Sequence, residues 1–250
     1  MTSKVLAGKV ALVTGGSRGL GAATAKALAE QGAHVAISYV RSAEKAQNVI
    51  AQVTDHGVRG IAFQADQGDA HAVQALVDGV MAEFGRLDIL VTNASVDQLG
   101  PVDDHQRDAQ AFDRFWAVAF SGYMATVRAA SKVLSDEGRI IMINSSLGQR
   151  VGIPGLSDIA ALRGAIDGYS RGVARDLAAR QITVNVLHAG FMKTDLNAGS
   201  RNALAPLIER LCFPRFGRLE EVVAPILFLA SPAASYITAT VIDADGGYNA

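Results

Sequence analysis

The first chemistry-bearing run in this 250-residue chain is Thr14-Gly15-Gly16-Ser17-Arg18-Gly19-Leu20-Gly21. It follows an apolar run, Lys9–Thr14, and opens an amphipathic one, Gly19–Gln31. Glycines in such a turn allow a tight backbone, close approach of a pyrophosphate, and close helix–strand packing, with the helix N-terminus facing the phosphates. A glycine pattern alone is a weak signal; a strand before it and a helix after it make this one a candidate dinucleotide cradle rather than a merely structural turn. Its binding residues are Gly15, Ser17, Arg18, Gly19, Leu20 and Gly21. A second cue stands at the end of the next apolar run, Ile37-Ser38-Tyr39-Val40-Arg41-Ser42. A site for a free ribose 2′-hydroxyl usually places Asp or Glu here. An arginine instead predicts NADP(H), its 2′-phosphate held by Arg41 and Ser42 with help from Arg18 through charge-assisted hydrogen bonds. The bland alternative leaves both arginines in water.

These residues need a scaffold, and the rest of the chain supplies one. Lys9–Thr14, His34–Ser38, Gly60–Gln64, Leu87–Thr92, Gly138–Asn144, Ile182–Leu187 and Thr240–Asp243 read as strands. Between them Gly19–Gln31, Ala43–His56, Asp69–Phe84, Asp108–Leu134, Asp158–Ala179 and Glu220–Leu229 read as helices. Most strands are almost wholly apolar, as strands covered on both faces are. The alternation predicts an α/β fold with a parallel, doubly wound sheet. No linker, charge block or repeat divides residues 1–250, so a single domain is expected. The irregular stretch Asn197–Arg218, within 191–218, is the candidate substrate lid.

Composition agrees. Half the residues are apolar and 19% charged, which excludes a disordered chain. A formal net charge of −1 gives no broad attraction to phosphate backbones, so no nucleic-acid partner is expected. The lone Cys212 permits no internal disulfide and suits a reducing compartment. Val222–Ile242 is uncharged, but Pro225, Pro232 and several hydroxyl residues break it, so a buried element is expected rather than a membrane span. Met1–Lys9 lacks the apolar core of a signal peptide, and a cytoplasmic protein acting on a small-molecule substrate is the expectation.

The Thr14–Gly21 loop is accompanied by Ala65-Asp66 after the third strand and Thr92-Asn93-Ala94-Ser95 after the fourth. Asn144-Ser145-Ser146 follows the fifth, Gly190 and Thr194 the sixth, and Asp245-Gly246-Gly247 closes the set. On these motifs the chain resembles, along essentially its whole length, the short-chain dehydrogenase/reductase family, and among its members the bacterial reductases similar to ketoacyl-acyl-carrier-protein reductase. The resemblance implies a Rossmann-type fold with a mostly parallel, seven-stranded sheet and helices on both faces. It implies Asp66 beside the adenine with Gln67 in the same site, Asn93 and Ala94 along the adenosine ribose, and Gly190–Thr194 around the nicotinamide carboxamide. It also implies a homotetramer or homodimer formed through Asp108–Leu134, Asp158–Ala179 and the C-terminal strand.

The catalytic positions depart from the family pattern. The family sets a tyrosine thirteen residues after its active-site serine and a lysine four further on; from Ser146 these steps land on Ile159 and Arg163. Starting from Ser145 gives Asp158 and Leu162 instead. Val118-Ala119-Phe120 stands where an asparagine is usual, Thr92 and Ser95 replace Asn and Gly, and Ala189 replaces a proline. The family tyrosine exchanges a proton with the carbonyl oxygen, and the lysine lowers its pKa from about 10. Ile159 cannot exchange a proton, and Arg163 stays charged, fit only for ribose hydroxyls or an oxyanion. General acid–base catalysis is worth about 10²–10⁴-fold, whereas positioning supplies about 7–11 kcal/mol. Such a site is crippled for simple ketones but not inert. Ser146, Arg163 and Asp158 are therefore the candidate catalytic residues. Asp97 and His188 are further proton-carrying candidates, against bland readings as a helix cap (Asp158), a solvated loop (Asp97) and a hydrogen-bonded strand end (His188). No cluster has metal-ligand spacing.

Three functions follow. The first is an NADP(H)-dependent oxidoreductase with a non-standard site, acting on a carbonyl, an imine or iminium, or an activated alkene. The second is a non-redox cyclase, dehydratase or lyase on the same scaffold. The third is a catalytically silent cofactor-binding subunit.

Overall fold

A computed structural model describes residues 4–194 and 201–250. Its strands are β1 (Val10–Val13), β2 (His34–Tyr39), β3 (Gly60–Gln64), β4 (Leu87–Thr92), β5 (Leu134–Asn144), β6 (Thr183–Ala189) and β7 (Val241–Ala244). All pair in parallel, in the order β3-β2-β1-β4-β5-β6-β7. Every residue of β1 and β4 is buried, which is why β1 and residues 89–91 of β4 read as apolar runs rather than alternating ones. The strand order reverses between β1 and β4, and in such sheets ligands bind in the crevice beyond the carboxyl ends at that reversal.

Helices α1 (Gly19–Glu30), α2 (Ala43–Thr54) and α8 (Leu219–Ala230) cover one face. Leu28, Val49 and Ile226 pack there beneath the sheet. The other face carries α3 (Ala70–Phe84), α4 (Ala109–Trp116), α5 (Gly122–Val133) and α6 (Ser157–Asp176), whose Val77, Phe115, Val127 and Ile166 form the second apolar layer. Asp69 caps α3 by accepting from the His71 backbone N–H at 2.8 Å, and Gly85 ends it with φ +75°. The helix α7 (Arg201–Ile208) contributes Leu207 and Ile208 to a small cluster with Leu211 and Tyr248.

Two expectations change. The single helix expected over Asp108–Leu134 is α4, a π turn over Ala117–Ser121, and α5, and Leu134 already belongs to β5. The cause is contact: a Cβ on Gly122 would stand 1.8 Å from the Gln67 carbonyl oxygen. The widened turn leaves the Val118 carbonyl to accept from Gln67 Nε2 at 2.9 Å. Within the expected irregular lid, residues 201–208 are helical, while 197–200 lie outside the described residues. The uncharged Val222–Ile242 divides, as expected, into a helix, a turn and a strand: most of α8, a short turn at Pro232–Ala234, and the start of β7. Among the described residues no helix is long and apolar enough to cross a membrane.

Candidate active site

The glycine loop is held open by its own backbone and by the end of β4. Gly15 and Gly19 take φ of +64° and +54°, a region that disfavours a Cβ. A Cβ on Gly21 would meet Asn93 Nδ2 and the Gly15 oxygen at 2.5 Å, so α1 can begin this close only with glycine. Thr14 Oγ1 accepts from the Asn93 and Ala94 backbone N–H groups at 2.9 and 3.0 Å. Asn93 Nδ2 donates to the Thr14 and Gly15 carbonyls at 3.0 and 3.2 Å. Asn93 thus spends its amide bracing the loop. Leu20 is buried, while Arg18 occupies the α1 N-cap without a side-chain capping bond, so the first N–H groups of α1 have no cap from it. Thr194 lies beside this loop, its Cγ2 3.7 Å from where a Gly19 Cβ would be.

Arg41 is exposed at the end of β2, and Ser42 precedes α2 without capping it. Asp66 is held below the usual carboxylate range, chiefly by the Arg114 hydrogen bond at 2.7 Å, with the Gly68 N–H and the Arg41 charge adding to it against partial burial. Sequence reasoning missed Arg114, which lies on α4, 48 residues away. Gln67 is 5% exposed and its Nε2 bridges the Ala94 and Val118 carbonyls, so this side chain faces inward.

Across the crevice, three strand ends carry polar residues in two tiers. Asn144, His188 and Asp243 are register partners on β5, β6 and β7. Asp167 of α6 meets them, accepting from Asn144 Nδ2 at 2.7 Å and lying 3.0 Å from His188 Nε2. His188 Nδ1 lies 2.8 Å from Asp243 Oδ1. Burial, the largest single influence, would lower the His188 pKa, but hydrogen bonds and charge from Asp167 and then Asp243 together raise it above 6.5. Two residues further along, Ser146 Oγ donates to Asp245 Oδ2 at 2.6 Å.

Ile159 is 2% exposed in the apolar layer, with no polar function. Arg163, one turn on, donates from Nη2 to Asp97 Oδ1 at 3.0 Å and to Ser95 Oγ at 3.3 Å. Its Nε is buried with no partner. An orphaned buried donor needs an acceptor, and together with the glycine cradle it fits a ligand bearing ribose hydroxyls and a pyrophosphate. Asp158 is not the α6 N-cap, which is Leu156; it pairs with Arg107. Asp97 is exposed, as its solvated-loop reading has it, and also pairs with Arg163. Tyr123 lies where the charges of Arg163 and Asp167 act on it, but burial raises its pKa and its hydroxyl donates to the Ile143 carbonyl at 3.2 Å. It is no substitute proton donor.

Residues 15–249 match the family described as enoyl-(acyl carrier protein) reductase. Versicolorin reductase stcU of Emericella nidulans is 36% identical, over 97% of this chain and 96% of its own. A 3-oxoacyl-(acyl-carrier-protein) reductase of Synechocystis sp. is 37% identical, over 97% of each chain. The crystal structure of a short chain dehydrogenase from Burkholderia cenocepacia J2315 in complex with NADP superposes with a TM-score of 0.93 at 41% identity, covering 98% of this chain and all of that one.

Proposed function

This chain belongs to the short-chain dehydrogenase/reductase family, and on that premise we propose that it is an NADP(H)-dependent oxidoreductase working without the family's tyrosine–lysine pair. The observation that carries the reading is the pairing of an intact glycine cradle with Arg163, whose buried Nε has no partner. When bound, the nicotinamide supplies or takes a hydride. The chain's own residues do the rest. The Gly15–Gly21 backbone receives the pyrophosphate, and Arg41 and Ser42 with Arg18 take the 2′-phosphate. Asp66 stands at the adenine, Asn93 holds the loop open beside Ala94, and Gly190 with Thr194 borders the carboxamide. Arg163 donates to ribose hydroxyls or to a developing oxyanion, and Ser146 meets the reacting group.

With Ile159 in the tyrosine's place, the acceptor is a carbonyl, imine or iminium, or activated alkene that needs little help from a general acid. Asp158 loses its claim to a proton-transfer role because Arg107 already engages it. Homo-oligomerisation in the cytoplasm completes the reading. The open flank of α6 supports it, since a Cβ on Gly168 or Gly172 would touch nothing and a second helix could pack closely there.

Calorimetric titration with NADPH and with NADH tests the proposal. NADPH binding with a clear preference over NADH is expected, and no binding of either removes it. The buried Ile159 also favours a non-redox reading, which would appear as turnover with no change in nicotinamide absorbance.

A further inference from the structure

Beyond the ends of β6 and β7 lies a cavity of about 640 Å³, walled by Gly190, the turn Asp245-Gly246-Gly247, Asn249, and Arg215 with Glu221. Gly246 and Gly247 take φ of +70° and +83°. The tight turn they make aims the Gly247 and Tyr248 N–H groups at Asp245 Oδ1, 2.9 and 3.2 Å away. Oδ2 accepts from Ser146 Oγ at 2.6 Å. All three donors are neutral, and among the described residues no Lys, Arg or His pairs with this carboxylate. Asp245 is only 6% exposed, and a buried charge without a counter-ion is costly. The other lining carboxylates are compensated. Asp243 has His188 at 2.8 Å, and Glu221 has Arg215 at 2.8 Å and Arg218 at 3.0 Å.

Arg215 and Asn249 are the lining residues whose side chains can donate. Both Nη atoms of Arg215 are engaged by Glu221. Asn249 Nδ2 donates to Gln149 Oε1 at 2.9 Å and to Asp243 Oδ2 at 3.2 Å. Those two bonds fix the amide's orientation and leave Oδ1 buried with no partner. The cavity's side chains therefore offer acceptors and one uncompensated negative charge. A ketone oxygen, which only accepts, is poorly matched to them; a cation carrying an N–H is well matched. Phe191, Met192 and Phe213 add an apolar, partly aromatic wall, which suits the body of an organic cation. Gly190 joins this cavity to the cofactor site, since it also borders the place given to the carboxamide. We propose that the acceptor reduced here is an iminium ion, its N–H held by Asn249 Oδ1 and its charge balanced by Asp245. The proposal rests on the oxidoreductase reading and names the substrate class of the same site. The iminium carbon takes a hydride from NADPH, the C=N π pair becomes the nitrogen lone pair, and neutral amine and NADP⁺ result. No proton enters that step, so Ile159 in the tyrosine's place does not block it.

Binding is read first, by calorimetry in slightly acid buffer, on cofactor-free and on NADP⁺-loaded protein, where no hydride is available. The probes are the dihydroisoquinolinium ion and its neutral carbon isostere, dihydronaphthalene. The ion should bind about tenfold more tightly, the worth of one hydrogen bond to a charged group, and Asp245→Asn should lose that preference. A second pair of variants keeps the test open where Asp245→Asn folds poorly. Phe213 is 64% exposed, so Phe213→Lys and Phe213→Met differ chiefly in the ammonium placed at the cavity wall. The Lys variant should bind the ion about fivefold more weakly than the Met variant and the isostere equally. Equal binding of ion and isostere by the wild type, or variants that leave the preference intact, overturns the proposal. Reduction is read last, on NADPH-loaded protein. Nicotinamide absorbance should fall with the ion and not with tetralone; an ion that binds but is not reduced, or tetralone reduced as fast, also overturns the proposal. Failure to bind NADPH would instead remove the oxidoreductase reading, and the ion preference of the cofactor-free protein tells the two failures apart.

Discussion

Arg163 Nη2 lies 3.0 Å from Asp97 Oδ1, while Nε of the same guanidinium is buried with no partner. One edge of the fork is thus anchored to the segment after β4, and the proposed function assigns the other to the cofactor. The Arg163 side chain is 9% exposed and that of Asp97 43%, so the pair is half in solvent, and its own contribution to stability is about 1 kcal/mol or less.

Replacing Arg163 with Ala should weaken NADPH binding by the loss of a charged hydrogen bond, about 1.5–3 kcal/mol or roughly 10- to 150-fold. Asp97→Asn should change it far less. Fluorescence titration with NADPH measures both, and equal affinity in Arg163→Ala and wild type would exclude a cofactor role for this residue.

The double change Ile159→Tyr with Arg163→Lys should bring in the missing proton exchange. Rates of ketone reduction, followed by NADPH absorbance, should rise by about 10²–10⁴-fold. Ile159 is 2% exposed in a packed layer, so the larger ring should also destabilise the fold by about 1–3 kcal/mol. Lower melting temperature without any gained reduction would show that the substrate does not sit against position 159.

Arg41→Ala should act on one cofactor only. With the guanidinium gone, NADPH affinity should fall about tenfold, the worth of one charge-assisted hydrogen bond, and NADH affinity should stay where it was. Parallel losses for both cofactors would place Arg41 outside the 2′-phosphate site.

The sequence exposed the scaffold well because most strands are buried on both faces and the helices between them keep a clean period. It failed at Ala117–Ser121, where one extra residue per turn leaves an apolar period nearly intact while moving the Val118 carbonyl onto Gln67. The cradle was legible for the same local reason: Gly15, Gly19 and Gly21 act within one turn of chain. The lower and upper polar tiers were not. His188, Asp167 and Asp243 come from three elements, and Ser146 and Asp245 are 99 residues apart. Only strand order and register bring them together, and a motif read along the chain carries neither. Asp158 shows the converse, since its place in the first turn of α6 suggested a cap whereas Arg107, 51 residues away, decides its role.

His188 should make stability depend on pH in one direction. Each ring nitrogen faces a carboxylate oxygen, at 3.0 Å to Asp167 and 2.8 Å to Asp243, and only the imidazolium can donate to both. The folded protein therefore holds this proton more tightly than the unfolded chain, and the His188 pKa is raised above 6.5. The stabilisation is present in full below the unfolded pKa of about 6.5 and is lost as pH rises through the higher folded value. Replacing His188 with Leu leaves the buried Asp167 without its cation and should cost about 3–5 kcal/mol at acid-neutral pH. The gap between wild type and variant, measured by urea unfolding from pH 6 upward, should narrow steadily with pH. A gap that stays constant would mean that His188 is neutral in the folded protein and that one of the two carboxylates carries the proton instead.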